Sequence, residues 1–499
     1  MRQILLPLLF LYLPTALHAQ QYDHIWMYGK QSSIPLVKVT KMIFDQDSFY
    51  AEPTEFKGAF LVYSATMCDA DGNLAFYSNG CNIYNKMGNI MENGDTINGP
   101  ANGYWDDFHN DGYKASYFGL PAPANDQEYY LIHNKFYDST SQILQGFYYL
   151  MYSKIDMSTG LGKVTAKNVT LMLDHRFELA AAVRHGNGRD WWIIQPHDLK
   201  PYYYKFLLTP EGFQGPFEQY DPYKIIDSLG ANHKIVFSPD GSKMIHYHNR
   251  LGVWVYDFDR CTGNIGEAVH IPFPSPGFGG WNGLDCEVSA NSRYLYITTT
   301  GFTRIIQYDL FASDIPASGD TIAVYDGFRD ASGQPTTFGR MQRGPNNKIY
   351  IATTAGTLLH VINHPDLPGA ACGFVQRSIN LPTWNYASLP YYPNYRLYDL
   401  PDSPCDTLDI NTAATTPKAP EFDLTIYPNP ASELFTVYLP GWQGVGDLNV
   451  TDALGRLVFH AALHRDRTTV QCASWTAGVY GVQVWKDGKL VLGEQLVLR

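Results

Sequence analysis

One short pattern recurs six times along this chain at a nearly constant interval, and no other feature restricts the fold as strongly. A small apolar strand leads into a polar turn, and a strand rich in aromatic and β-branched residues follows. The copies are Asp69–Ser78, Ala124–His133, His185–Ile194, Ser238–His246, Ser289–Ile297 and Gly344–Ala352. Their turn markers, Asp71, Asn125, Asn187, Asp240, Asn291 and Asn346, lie 54, 62, 53, 51 and 55 residues apart. Asn, Asp and Gly tolerate positive φ at such turns, and a second hairpin follows in several copies, as in Gly252–Asp259 and Thr303–Leu310. Each copy therefore holds about four strands, the content of a β-propeller blade. An open solenoid is the alternative. Closure is favoured because long strand-bearing segments flank the copies, Tyr22–Phe60 before and Leu381–Leu400 after. Together these are expected to make a seventh blade that joins the chain ends and hides the sheet edges.

The composition suits an all-β chain with a packed core: 45% hydrophobic, 17% charged, with 36 Tyr, 26 Phe and 10 Trp. With 36 basic and 48 acidic residues the net charge is −12, which offers no field for phosphate backbones, so nucleic acid is not an expected partner. Met1–Ala19 has a basic start, a ten-residue apolar run from Ile4 to Leu13 and a small residue before Gln20, the layout of a signal peptide. That run is too short to span a bilayer, and no later stretch is long enough, so no transmembrane segment is expected. Export permits disulfides among Cys68, Cys81, Cys261, Cys286, Cys372, Cys405 and Cys472, and the odd count leaves at least one unpaired within the chain. Cys372 and Cys405 are the expected bridge, because the closing segment between them must double back for the ring to shut. No pair has the spacing of a zinc or thiol-redox motif.

The repeat register points to one cluster. The strand before each turn is expected to be innermost, so equivalent positions ring the channel. Alignment on the turns sets Lys234, Asp285 and Arg340 at one level, with Val236, Glu287 and Gln342 two residues on and facing the same way. This is read either as a polar pocket at a channel mouth or as an ion-pair network satisfying buried charge, the second being preferred. Other signals are weaker. Asp69-Ala-Asp71-Gly-Asn73 resembles a calcium loop, but the same turn recurs without its carboxylates. Trp105-Asp106 lies between copies, Trp281 is read as packing rather than as a sugar platform, and the turns lack the tryptophan of sialidase boxes. His246 and His248 share one strand face without an evident third ligand, and His133, His185, His197 and His233 read as hydrogen-bonded structural residues. No hydrolase elbow, metalloprotease motif or phosphate loop is present, and no cofactor or metal is expected.

Residues 401–420 shift to Thr, Ala, Asp and Pro and read as a linker after a propeller of residues 20–400. Beyond it, about seven short strands in residues 421–499 predict a small Ig-like β-sandwich. Three motifs there carry a resemblance: Tyr427-Pro428-Asn429-Pro430, Asp452-Ala-Leu-Gly455-Arg456 and Trp475-Thr-Ala-Gly478-Val-Tyr480. In this order they resemble the type IX secretion system C-terminal sorting domain. The resemblance implies Sec passage into the periplasm, recognition of residues 421–499 by an outer-membrane translocon, and release or attachment at the cell surface. The family often carries a lysine near the last strand, where this chain has Glu494-Gln495, a departure that bears on anchoring rather than on export. The larger region resembles the uncharacterised propeller portion of such cargo, through Gly72–Gly80, Val288–Tyr296 and Tyr395-Arg-Leu beside Ser403–Thr407, and that likeness carries no activity with it. The functional expectation is an exported propeller serving as a binding module for a glycan or protein. The rival is an extracellular hydrolase or lyase of polysaccharide or peptide using Asp285 and Glu287 as acid and base.

Overall fold

A computed structural model describes residues 20–29, 39–45, 48–56, 60, 63–98, 117–137, 146–177, 180–197, 200–224, 233–273, 285–299, 301–406, 408, 424–440, 442, 445–452, 456–486 and 489–499. Met1–Ala19, Trp105-Asp106, Trp281 and Gly455 lie outside them. The chain divides into two compact units, Met1–Thr412 and Ala413–Arg499.

Among the described residues the first unit has seven sheets. β1 (Ile25–Tyr28), β2 (Val39–Phe44) and β3 (Phe49–Thr54) form the first, and β4 (Tyr63–Cys68), β5 (Leu74–Ser78) and β6 (Ile83–Asn85) begin the second. The third holds β7 (Tyr117–Ala122), β8 (Asn125–Tyr137), β9 (Gly146–Asp156) and β10 (Lys163–Phe177). The fourth holds β11 (Ala181–Arg184), β12 (Trp191–Pro196), β13 (Tyr202–Thr209) and β14 (Gly212–Tyr220). The fifth is β15 (His233–Phe237), β16 (Lys243–His248), β17 (Gly252–Asp259) and β18 (Asn264–Pro272). The sixth is β19 (Cys286–Val288), β20 (Tyr294–Thr299), β21 (Arg304–Asp309) and β22 (Asp320–Val324). The seventh is β23 (Phe338–Arg343), β24 (Ile349–Thr353), β25 (Gly356–Ile362) and β26 (Phe374–Asn385). First strands of neighbouring sheets pack together, β1 on β4, β4 on β7, β11 on β15, β15 on β19 and β19 on β23. The architecture is a seven-bladed β-propeller. Its second strands, such as β12 and β20, are buried at every residue because blades cover both faces, whereas the outer strands β14 and β18 face water over much of their length.

All six repeated turns join the first two strands of a blade. The side-chain oxygens of Asn125, Asn187, Asp240, Asn291 and Asn346 each accept the N–H two residues on, and in the first copy Asp69 does this for Asp71. The residue after the marker takes positive φ at Gly72, Gly188, Gly241, Ser292 and Asn347. The repeat is thus an Asx turn, followed by a left-handed residue in five of its six copies.

Closure departs from expectation. The N-terminal segment makes a three-stranded blade by itself, and Phe374–Asn385 is the outermost strand of the seventh blade, paired with β25. The chain end contributes β27 (Leu389–Pro390), which runs parallel to β4 in the second blade and packs against β1 and β23. A hydrogen bond of 2.7 Å between the Thr40 and Thr383 hydroxyls ties the first blade to the seventh. The disulfide also differs: Cys405 pairs with Cys261, while Cys372 is buried with a free thiol. Instead of doubling back toward Cys372, the chain after β27 passes beneath the fourth and fifth blades, and residues 401–406 of the expected linker lie on the propeller, where the Leu400 N–H donates to the Gly186 carbonyl at 2.7 Å.

The second unit is a sandwich. β28 (Thr425–Tyr427), β29 (Leu434–Tyr438) and β32 (Arg467–Gln471) form one sheet. β30 (Gly446–Thr451), β31 (Leu457–Leu463), β33 (Gly478–Lys486) and β34 (Lys489–Leu498) form the other. Phe435, Val437, Leu448, Val450, Val470, Val482, Val484 and Leu496 fill its own core.

Candidate functional site

The register argument brings Lys234, Asp285, Glu287 and Gln342 to the inner strands of three consecutive blades. Lys234 Nζ lies 2.7 Å from Asp285 Oδ1 and donates to the carbonyls of Met341 at 2.9 Å and Cys286 at 3.2 Å. Three acceptors match its three protons. Asp285 also accepts the N–H groups of Cys286 at 2.7 Å and Met341 at 3.0 Å, and its side chain is 1% exposed. Glu287 accepts the N–H groups of Val288 at 3.0 Å and Arg343 at 3.1 Å. Gln342 donates to the Arg343 carbonyl at 3.3 Å. Burial pulls the Lys234 amine down, but Asp285 and Glu287 outweigh it and hold its pKa above the usual 10.5, so it remains a cation. Arg340 is buried, and its charge opposes the rise that burial gives the Tyr247 hydroxyl, which stands well above 10.

Beside this network is a cavity of about 40 Å³, room for a few waters, lined by Lys234, Glu287, Gln342, Arg343, Tyr391 and Arg396. Its far wall is a tyrosine-rich segment. The hydroxyl of Tyr391 donates to the Ile235 carbonyl at 2.9 Å, Tyr392 to Ile25 at 3.2 Å and Tyr395 to Gly119 at 2.7 Å. Three rings thus reach the inner strands of three blades, and Arg396 forks onto Asp23 at 2.6 and 2.7 Å. This segment plugs the channel at its turn end. Sequence reasoning missed it, although Tyr391-Tyr392-Pro393-Asn394-Tyr395 was a visible aromatic run after the last repeat.

A second polar assembly bridges the fourth and fifth blades. His246 and His248 share a face, as expected, and His233 joins them: its ring lies 4.2 Å from that of His248, and its Nδ1 lies 3.2 Å from His246 Nε2. His246 Nδ1 is 2.5 Å from the Tyr203 hydroxyl, which donates to Tyr256 at 3.3 Å, which donates to Asp221 at 2.6 Å. The assembly thus links His233, His246 and the two phenols to the Asp221 carboxylate. Periodicity gave no signal for this chain, since it joins residues of β13, β15, β16 and β17 to Asp221, just after β14. His133 is held by Asn98 at 2.6 Å and Ser153 at 3.1 Å, a structural role. Among the described residues no three His, Cys, Asp or Glu side chains are grouped to hold a metal, and Asp69 serves its own turn.

In the terminal domain each motif closes a local structure. Asn429 donates to the Gln495 carbonyl at 2.7 Å and accepts the Val497 N–H at 2.9 Å, pairing with β34 as a backbone residue would. Pro428 and Pro430 flank it, both with cis peptide bonds. Asp452 accepts the Arg456 N–H at 3.0 Å and its Nε–H at 2.7 Å. The Tyr480 hydroxyl returns to the Thr476 carbonyl at 2.7 Å, with Trp475 against its ring, and Gly478 opens β33.

The fold and these motifs define an exported propeller with a sorting tail. Residues 425–499 match the family described as the secretion system C-terminal sorting domain. This domain belongs to the type IX secretion system and directs the chain to the cell surface or into the medium. No match to a curated protein was found. Among solved structures, a putative 6-phosphogluconolactonase from Bacteroides fragilis is similar at 10% identity and a TM-score of 0.44, over 74% of this chain and 98% of that one. A protein from Lactobacillus plantarum is similar at 11% identity and a TM-score of 0.45, over 73% and 98%. PorZ, a surface component of the type IX system of Porphyromonas gingivalis, aligns with 95% of this chain and 70% of its own at 13% identity and a TM-score of 0.29. Among the described residues no helix is long and apolar enough to cross a membrane.

Proposed function

We propose that this protein is a secreted or surface-displayed propeller that binds a glycan or protein ligand without transforming it, and that residues 421–499 are read by the type IX outer-membrane translocon. One observation carries the choice against the hydrolase reading. The carboxylates that reading needs are occupied: Asp285 holds Lys234 and two backbone N–H groups in a buried network, and Glu287 holds two more. A general acid or base must reach the reacting atoms; Asp285 is 1% exposed, and Glu287, although it borders the cavity, already accepts an N–H on each oxygen. The channel cluster therefore supports the blades rather than a reaction. A glycan and protein array run beside a panel of chromogenic glycoside and peptide substrates tests this, with retention and no turnover expected. Turnover abolished by Glu287→Gln at an unchanged melting temperature would reinstate the hydrolase.

A further inference from the structure

The segment that plugs the channel continues into a strap, and the disulfide sits at the strap's end. After Tyr395 and Arg396, Leu397 is buried, the Arg260 guanidinium donates to the Tyr398 carbonyl, and the Leu400 N–H donates to Gly186. Cys405 then bonds to Cys261, 144 residues away, on the turn between β17 and β18. The floor beneath the strap is shaped for it. A Cβ at Gly186 would lie 2.4 Å from Cys405 Sγ and 2.9 Å from Cys261 Sγ, and one at Gly188 would lie 2.7 Å from the Asp399 nitrogen. Arg260 also donates to the Arg184 carbonyl at 2.9 Å, and Arg184 donates to the Tyr395 carbonyl at 3.4 Å, so the cradle and the plug share partners.

We propose that Cys261–Cys405 is an oxidation-dependent latch that keeps the tyrosine plug seated over the charged cavity. The two thiols can meet only after the strap has crossed the fourth-blade turn. Closure then forms one S–S bond, releases two protons and passes two electrons to a dithiol–disulfide oxidant of the compartment through a mixed disulfide. In the oxidised chain the strap is tethered at both ends, by β27 and by the bond. Reduction frees the second end, and the plug then depends on its hydrogen bonds, the Arg396–Asp23 ion pair and ring packing, so the wall of Tyr391 and Arg396 opens more often over Lys234, Glu287, Gln342 and Arg343.

Hydrogen exchange of the full-length protein, oxidised and phosphine-reduced, tests the latch, with alkylation and mass measurement confirming that Cys261 and Cys405 are free. Exchange across residues 389–405 is expected to rise at least tenfold on reduction, while β16 and β20 keep their protection. Unchanged exchange in 389–405 at full reduction overturns the proposal. Cys405→Ser should reproduce the reduced pattern without reductant. In Gly186→Ala both thiols are expected to remain alkylatable after folding, and a quantitative bond in that variant also counts against the latch.

Discussion

At the scale of single residues, burial decides what a charge can do. Asp285 and Lys234 were legible as a pair from the repeat register, because equivalent strand positions in successive blades face one another, but the register could not say whether water reaches them. Asp285 is 1% exposed and Lys234 meets only the small cavity, and each is satisfied by the other and by main chain. Asp285→Ala is therefore expected to cost on the order of 3 kcal/mol by leaving a buried cation unpaired, and Lys234→Met combined with it should cost less than the two single changes added. Urea melts of the three variants measure this, and an unchanged midpoint for Asp285→Ala would mean that water solvates Lys234 after all. Burial also sets a pH dependence. It depresses His133 to about 3 and His360 to about 4, so both are neutral in the folded chain while the unfolded chain protonates near 6.5. Stability is full above pH 6.5 and falls as pH drops toward 4, by up to about 1.4 kcal/mol per pH unit for each group. Denaturation midpoints at pH 7, 6 and 5 should show the decline, and His133→Gln should make it shallower.

At the scale of elements, local chemistry was read well where it repeats and poorly where it does not. The six turns were visible because an Asx side chain recurs in all of them and a left-handed residue in five. The plug has no repeat, and its three hydroxyl contacts join residues 156, 367 and 276 positions apart. Tyr395→Phe removes the hydrogen bond to the Gly119 carbonyl from a ring that is 2% exposed, and should destabilise the propeller by about 1 kcal/mol. A thermal melt checks this, and no shift would show that the ring packing alone seats the plug. In the terminal domain Arg467–Gln471, as Arg-Thr-Thr-Val-Gln, has little apolar pattern, yet it pairs with β29 along its whole length. Asn429→Ala should weaken that domain by about 1 kcal/mol, since two hydrogen bonds to β34 are lost at an exposed site. Faster exchange of the Val497 amide is the expected signature.

At the scale of the whole molecule, two cores mean two separable tasks. The terminal sandwich packs a set of side chains that shares no member with the propeller clusters. Deleting residues 421–499 should leave the propeller's melting temperature unchanged and strand it in the periplasm. Cell fractionation of the truncated chain decides the second half, and its normal appearance at the surface or in the medium would count against the sorting role. A lowered melt would show that the sandwich supports the propeller.

Sequence alone determined the elements that depend on neighbours in the chain: the Asx turns, the strand alternation, the blade period and the three motifs of the sorting domain, each closed by side chains within a few residues or by one strand pairing. It also set Lys234 beside Asp285, because a repeat turns sequence position into spatial position. Tertiary structure decided everything that depends on where the chain travels after the last repeat. Cys405 reached Cys261 instead of Cys372 because the strap runs under two blades, and the channel end was filled because Tyr391, Tyr392 and Tyr395 found carbonyls on strands 156 to 367 residues upstream. Such contacts are selected by the closed ring, which no local pattern encodes.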